Sequence, residues 1–440
     1  MPRLLATGSN GHGQLGIAHR ADVSRFTPCR FADGSSNPLD HSSTRILALE
    51  SGGNHAVLLL ASPGAGAGRN TVWVTGSNVH GELGPLLGSS TDVWTPLNLA
   101  AIRRAAGLVD EGTTYEPIAI GCTWSSTFMV LSRCLDSENR LKLSDIVVSF
   151  GSNDFGELGC GNIGTSTDDA AKVHIVRLPG WDARDTRSRM EIQHLATGQR
   201  HVVCSCLVTL DGHHEQKLYG WGAARHGQIS VSSHSDSPDA PVAGPSKTPT
   251  RRTSRYPVTH LTPTQLDIQP LVGSESQITH IACGASHTVL RTSAGTLVTL
   301  GSNVKHQRDV PASCTAVACT WNGTVGWDGD GVWAVGSNTH GQLGRRAPSA
   351  ASSGDRLSLG DGAAPPHIQG LVCGSEHTWI LTRQGTLYAW GWNEHGNLGV
   401  GSLEDQWAPR EVAVTGEDGA LKRVRGMWAG CGTSWVLVDD

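Results

Sequence analysis

Two sets of residues in this chain have the type and spacing to do chemistry. Cys204 and Cys206 lie one residue apart in HVVCSCLVTL, and alternate residues of a strand share a face, so the two thiols could hold a soft metal or cycle as a dithiol. His55, His201, His287 and His377 each stand three residues after a glycine, and imidazoles at equivalent places could collect a metal or relay protons. Both sets have plainer explanations. Thiols within an apolar strand pack as small hydrophobes, and a histidine repeated in one slot points to the same turn-stabilising hydrogen bond made four times. The plainer explanation is adopted for each. The chain carries no G-x-x-x-x-G-K-[ST] phosphate loop, no G-x-S-x-G elbow, no H-E-x-x-H and no C-x-x-C pair of zinc-ribbon spacing. A non-enzymatic protein without cofactor or metal is expected.

The histidines belong to a larger pattern that positions them. Strand-like runs break on glycine at positions 8, 76, 151, 222, 301, 336 and 391, and most breaks read Gly-Ser-Asn-x-x-Gly-x-Leu-Gly, as in GSNGHGQLG and GSNTHGQLG. GAARHGQIS and GSNVKHQRD are worn copies. A second element follows each break, a Gly-x-x-His-like turn entering an apolar strand, as in CGASHTVL at Cys283 and CGSEHTWIL at Cys373. Self-similarity at this period, with no helical pattern between copies, predicts an all-β, seven-bladed β-propeller. Each repeat reads as four short strands; in the second they are Thr71 to Thr75, Thr95 to Leu99, Pro117 to Ile120 and Thr127 to Leu131. The last repeat ends on Ser434 to Val438 with no strand after it, and Arg3 to Thr7 supplies one. A propeller must hide its sheet edges, so the N-terminal strand is expected to pair into the C-terminal blade and close the ring.

Composition agrees with one propeller over residues 1–440. Gly 55 and Pro 20 supply turns. Only 17% of residues are charged and the net charge is −5, so no basic field is offered to nucleic acid or to an acidic membrane. MPRLLATGSN already reads as blade strand, which leaves no room for a signal peptide, and no apolar run has transmembrane length. Eleven cysteines, mostly in strands or turns, suggest reduced thiols in an intracellular protein. The Ser/Pro/Thr-rich stretches 231–257 and 345–367 are expected to be disordered insertions. The fifth repeat, only 35 residues from Gly301 to Gly336 and with Lys305 and His306 near a turn-glycine slot, predicts a truncated or distorted blade.

Tryptophan is over-represented at 14 copies. Trp73, Trp333, Trp221 and Trp390 precede repeat glycines, where blade packing accounts for them. Trp392 instead replaces the Ser of Gly-Ser-Asn, while Trp124 and Trp321 occupy a turn slot that elsewhere holds Gly53, Gln199, Ala285, Ser375 or Cys431. With strands alternating up and down, both kinds of turn emerge on one face. Trp124, Trp321 and Trp392 therefore share a face with Arg225 and His226, and these five are the candidate partner-binding residues.

G-S-N-x-x-G-Q-L-G together with C-G-x-x-H-T resembles the repeat of the regulator of chromosome condensation family, and the resemblance runs along the whole chain. GWGAARHGQ, from Gly220 to Gln228, is similar to a copy in the fungal alpha-tubulin-suppressor proteins. That resemblance implies a cytoplasmic and nuclear, non-catalytic scaffold. Its implied partner is the small zinc-binding, electron-carrying protein of diphthamide biosynthesis on elongation factor 2, and the pair would support Elongator-dependent modification of wobble uridines in tRNA. The family also implies two alternatives, a guanine-nucleotide exchange factor for a Ran-type GTPase and a substrate-recruiting module of a ubiquitin ligase.

Overall fold

Strand pairing follows the repeat but cuts it in a different place. The computed structural model describes residues 2–439 except 33–36, 41–42, 62–69, 86, 110–111, 136–140, 165–171, 181–187, 232–256, 274–275, 347–354, 360–366 and 417–418. Most of the two expected insertions thus lies outside the described residues. Seven antiparallel sheets follow one another along the chain. Blade one is Arg45–Ser51, His55–Ala61, Thr71–Gly76 and Thr91–Pro96. Blade two runs from Thr113–Cys122 to His174–Val176, blade three from Ser188–Thr197 to Thr259–Gln265, and blade six from Ile368–Cys373 to Gln406–Glu411. The Gly-Ser-Asn loop therefore joins the third and fourth strands of one blade, and the Gly-x-x-His turn joins the first two strands of the next. Each sequence repeat straddles two blades. The four strands assigned above to the second repeat divide accordingly, two to blade one and two to blade two.

The seventh blade closes the ring. Val424–Ala429 and Thr433–Asp439 are joined by Pro2–Gly8 and then Val23–Pro28. The N-terminal strand pairs in full, from Pro2 opposite Asp439 to Gly8 opposite Thr433. Innermost strands of successive blades contact one another around the ring, and the last contacts the first. They leave a central channel.

Second strands such as HAVLLLA and HTWILT are buried along almost their whole length because both their faces are covered by neighbouring blades. A separate apolar cluster fills each gap between blades: Val57, Leu59, Met129 and Phe150 between blades one and two, for example, and Val203, Leu218, Ile281 and Leu290 between three and four. Trp221 and Trp390 are fully buried there, their indole N–H groups donating to the carbonyls of Glu157 at 2.8 Å and Gln342 at 2.9 Å in the preceding blade. Cys204 and Cys206 belong to one of these clusters, where burial pushes the Cys206 thiol up to about 12. They are core thiols, and all eleven cysteines are free.

Two expectations are corrected. A helix, Leu99–Ala105, begins where the strand Thr95 to Leu99 was expected; Asn98 caps it by accepting the Ala101 N–H at 3.0 Å, and the run LAAIRRA favours helix. The histidine hydrogen bonds do not stabilise their own turns. The Nε2 atoms of His55, His201, His287 and His377 bond across to hydroxyls of the following blade, at Thr127, Thr288, Thr324 and Ser434, at 3.0–3.2 Å. The short fifth repeat leaves blade four, Ile278–Cys283 to Leu297–Gly301, without an outer strand, yet its loop is intact. His306 adopts the left-handed backbone of the missing glycine, at φ 63°. Blade five, Ala316–Thr320 to Val332–Gly336, also has three strands among the described residues.

Candidate partner-binding face

The recurring loop is held by two side chains of its own motif. The Asn carbonyl accepts the N–H five residues on, as Asn10 does from Leu15 at 3.0 Å and Asn338 from Leu343 at 3.0 Å. The Gln or Glu accepts the N–H two residues back, as Gln14 does from His12 at 2.9 Å and Glu157 from Phe155 at 2.6 Å. Buried backbone groups of the loop are thereby satisfied without further secondary structure. The residues between Asn and Gly are left to face outward: Val79 is 72% and Val304 82% exposed, and Phe155 is partly exposed.

The Gly-x-x-His turns emerge on the same face, since Gly76 pairs with His55 and Gly391 with His377 at the same end of their sheets. These turns converge on the axis and hydrogen-bond to one another. The Gly53 N–H donates to the Trp124 carbonyl at 2.8 Å, Trp124 to Gln199 at 3.0 Å, Gln199 to Gly284 at 3.3 Å, Ala285 to Trp321 at 2.9 Å, Trp321 to Ser375 at 2.7 Å and Ser375 to Cys431 at 3.2 Å. A belt of backbone hydrogen bonds thus runs around the channel mouth from blade one to blade seven.

Across this mouth Trp124 and Trp321 meet, ring centroids 5.7 Å apart and planes tilted at 47°. Trp392 packs edge-on to His395 at 5.2 Å, and a Cβ at Gly432 would lie 3.3 Å from its ring, which sets it at the rim. Arg225 and His226 are exposed on the blade-three loop, with the Arg225 Nε donating to the His226 imidazole at 3.1 Å. The five residues share a face as expected. The structure brings Trp124 to Trp321 and Arg225 to His226 in contact.

Sequence reasoning missed two features here. Arg200, next to Gln199 in the belt, lies over the Phe155 ring at 5.1 Å and donates to the buried Glu157 at 3.1 Å, which extends the aromatic surface outward from the mouth. Below the tryptophans, a cavity of about 120 Å³ is lined by Glu50 and by Cys122, Cys283, Cys319, Cys373 and Cys431. Four of these cysteines stand at or next to the end of the innermost strand, a recurrence visible in the sequence at the residue before Thr123, Gly284, Thr320 and Gly374. Burial pushes the Cys283, Cys373 and Cys431 thiols up to about 12, so they are neutral and unreactive at physiological pH. No group of three or more metal-binding side chains occurs among the described residues. Burial also raises Glu50 to about 7; its side chain is hemmed in by protein although part of it meets channel water.

Family models described as the regulator of chromosome condensation (RCC1) repeat match residues 384–437 and 368–397. The stretch 368–437 is thus similar to the regulator of chromosome condensation repeat. Over 84% of its length the chain is 26% identical to the ultraviolet-B receptor UVR8 of Arabidopsis thaliana, covering 70% of that protein. It is also 26% identical, over 99% of its length and 82% of the relative, to the secretion-regulating guanine nucleotide exchange factor of Bos taurus. The structure of Prp20p from Saccharomyces cerevisiae, described with its binding to Gsp1p and histones, superposes with a TM-score of 0.64 at 17% identity, covering 99% of this chain and 91% of that one. That likeness establishes the shared seven-bladed fold. Among the described residues no helix is long and apolar enough to cross a membrane.

Proposed function

We propose that this propeller is a non-catalytic scaffold that docks a protein partner on the face bearing the channel mouth. The observation that carries the proposal is the aromatic group Trp124, Trp321 and Trp392, grouped with Arg225 and His226 on loops of a rigid ring. Large aromatic and arginine side chains on such loops are the usual energetic anchors of interfaces. The partner we assign is the small zinc protein of diphthamide biosynthesis, with Elongator-dependent tRNA modification as the second process served; the copy GWGAARHGQ supports this choice. Trp321→Ala, Trp392→Ala and Arg225→Ala are each expected to weaken that complex by about 1–3 kcal/mol in calorimetric titration, with melting temperature nearly unchanged. Trp73→Ala is the control. Its ring is buried edge-on against Phe31 at 5.3 Å, and its loss should destabilise the fold by about 3–5 kcal/mol. A complex that survives all three face substitutions would move the partner to another surface.

Exchange activity on a Ran-type GTPase is the second reading, favoured by similarity along almost the whole chain to a guanine nucleotide exchange factor. A nucleotide-release assay run beside the titration separates the two. Accelerated release without binding of the zinc protein would replace the first reading by the second.

A further inference from the structure

The channel mouth has the composition of a receptor for a positively charged side chain. Trp124 and Trp321 form a tilted aromatic pair at its entrance, backed on one side by Gly53, where an added Cβ would lie 2.7 Å from the Trp124 ring. The cavity beneath them is about 120 Å³. Pockets for drug-sized ligands occupy roughly 300–1,000 Å³, so this one suits the head of a single side chain. Among the described residues lining it, Glu50 is the one that carries charge. Its neighbours there are neutral thiols, hydroxyls and backbone, and its carboxylate has no hydrogen-bond or ion-pair partner in the described structure. An aromatic face beside a partly buried, unmatched carboxylate attracts an ammonium group by both the ring quadrupole and the full negative charge.

We propose that the mouth accepts the ammonium of a lysine side chain from the docked partner, seated against Trp124 and Trp321 with Glu50 as its counter-ion. This rests on the reading of the face as a docking surface and adds what the partner must present to it. Entry of the cation stabilises the ionised carboxylate, so binding releases a proton below pH 7 and strengthens as pH rises through that value. The thiols near Glu50 do not share that window. The thiol of Cys122 from blade two and those of Cys283, Cys319, Cys373 and Cys431 are all driven up by burial, while Glu376 behind Cys431, which burial also raises, is already hydrogen-bonded to Gln342 and Asn322. Deeper in the channel, His194 and His280 are pushed down by burial, and Arg291 donates to the Cys314 carbonyl at 2.8 Å.

The test needs no partner. Nα-acetyl-lysine methylamide is titrated into the full chain while the indole N–H signals of Trp124 and Trp321 are followed by NMR, with Nα-acetyl-norleucine methylamide as the neutral isostere. The expected result is saturable binding in the millimolar range that tightens roughly tenfold from pH 6 to pH 8. Glu50→Gln should weaken it at least fivefold at pH 8 and abolish the pH dependence, and Trp321→Phe should weaken it a few-fold. Equal affinity for the norleucine derivative, or an unchanged titration in a folded Glu50→Gln protein, would overturn the proposal. The outcome is separable from the choice of partner. A partner that binds this face with full affinity to the Glu50→Gln protein refutes the lysine while leaving the docking face in place.

Discussion

Deleting residues 1–8 should unfold the ring from its seam. Leu4, Leu5 and Ala6 are almost completely buried, and their strand pairs with Thr433–Asp439 on one side and Val23–Pro28 on the other. Removing it strips one face from the clusters on both sides of blade seven and leaves Val23–Pro28 with no sheet to join. Burying a Leu side chain is worth about 1.5–3 kcal/mol. With two of them lost, together with the ladder hydrogen bonds and a newly exposed sheet edge, the cost should exceed about 5 kcal/mol, and the product should aggregate. Urea unfolding of the truncated chain measures it. A midpoint within experimental error of the full chain would mean that the ring holds without its seam.

The second large effect is acid sensitivity. His55 and His287 are held down at about 4, and His201 and His377 at about 3, by complete burial. A histidine whose folded value lies below its unfolded value near 6.5 binds protons more readily in the unfolded chain. Stability is therefore full above pH 6.5 and falls as pH drops towards 4. Each imidazole contributes about 3 kcal/mol to that fall. The buried carboxylates act in the opposite sense: Glu50, raised to about 7, costs stability as pH climbs from about 4.5 through 7, and Glu82, Glu157 and Glu376 are shifted in the same direction. Four fully buried histidines are expected to outweigh them, so the net change from pH 6.5 to 4 is a loss of stability. Urea midpoints across that range should fall steeply, and His201→Asn should flatten the profile while lowering stability at pH 7. A midpoint as high at pH 4.5 as at pH 7 would contradict the assignment.

The seven copies, the closing strand and the shared face were legible in the sequence because each is a matter of count and alternation. Where the chain is cut into blades was not, since a tandem repeat looks the same wherever its period is started. Only the pairing of Thr71–Gly76 with His55–Ala61 decides it. The histidines were recognised as makers of a repeated hydrogen bond, but their partners Thr127, Thr288, Thr324 and Ser434 stand in the next repeat, and only packing brings them within reach. The helix Leu99–Ala105 was readable from Asn98 and the alanine-rich run after it, and was masked by the strand pattern imposed on every repeat. Contact between Trp124 and Trp321 joins blades two and five across the axis, which no local pattern encodes.

Because the seam is made from the two ends of the chain, synthesis on the ribosome cannot complete it until the final strand has emerged. Pro2–Gly8 is made before the six blades that follow it and must wait, with one edge unpaired, while they are assembled. A nascent chain is thus exposed to misassociation throughout its translation, and a premature stop anywhere before Thr433 leaves an unclosed ring, however much of the rest has folded.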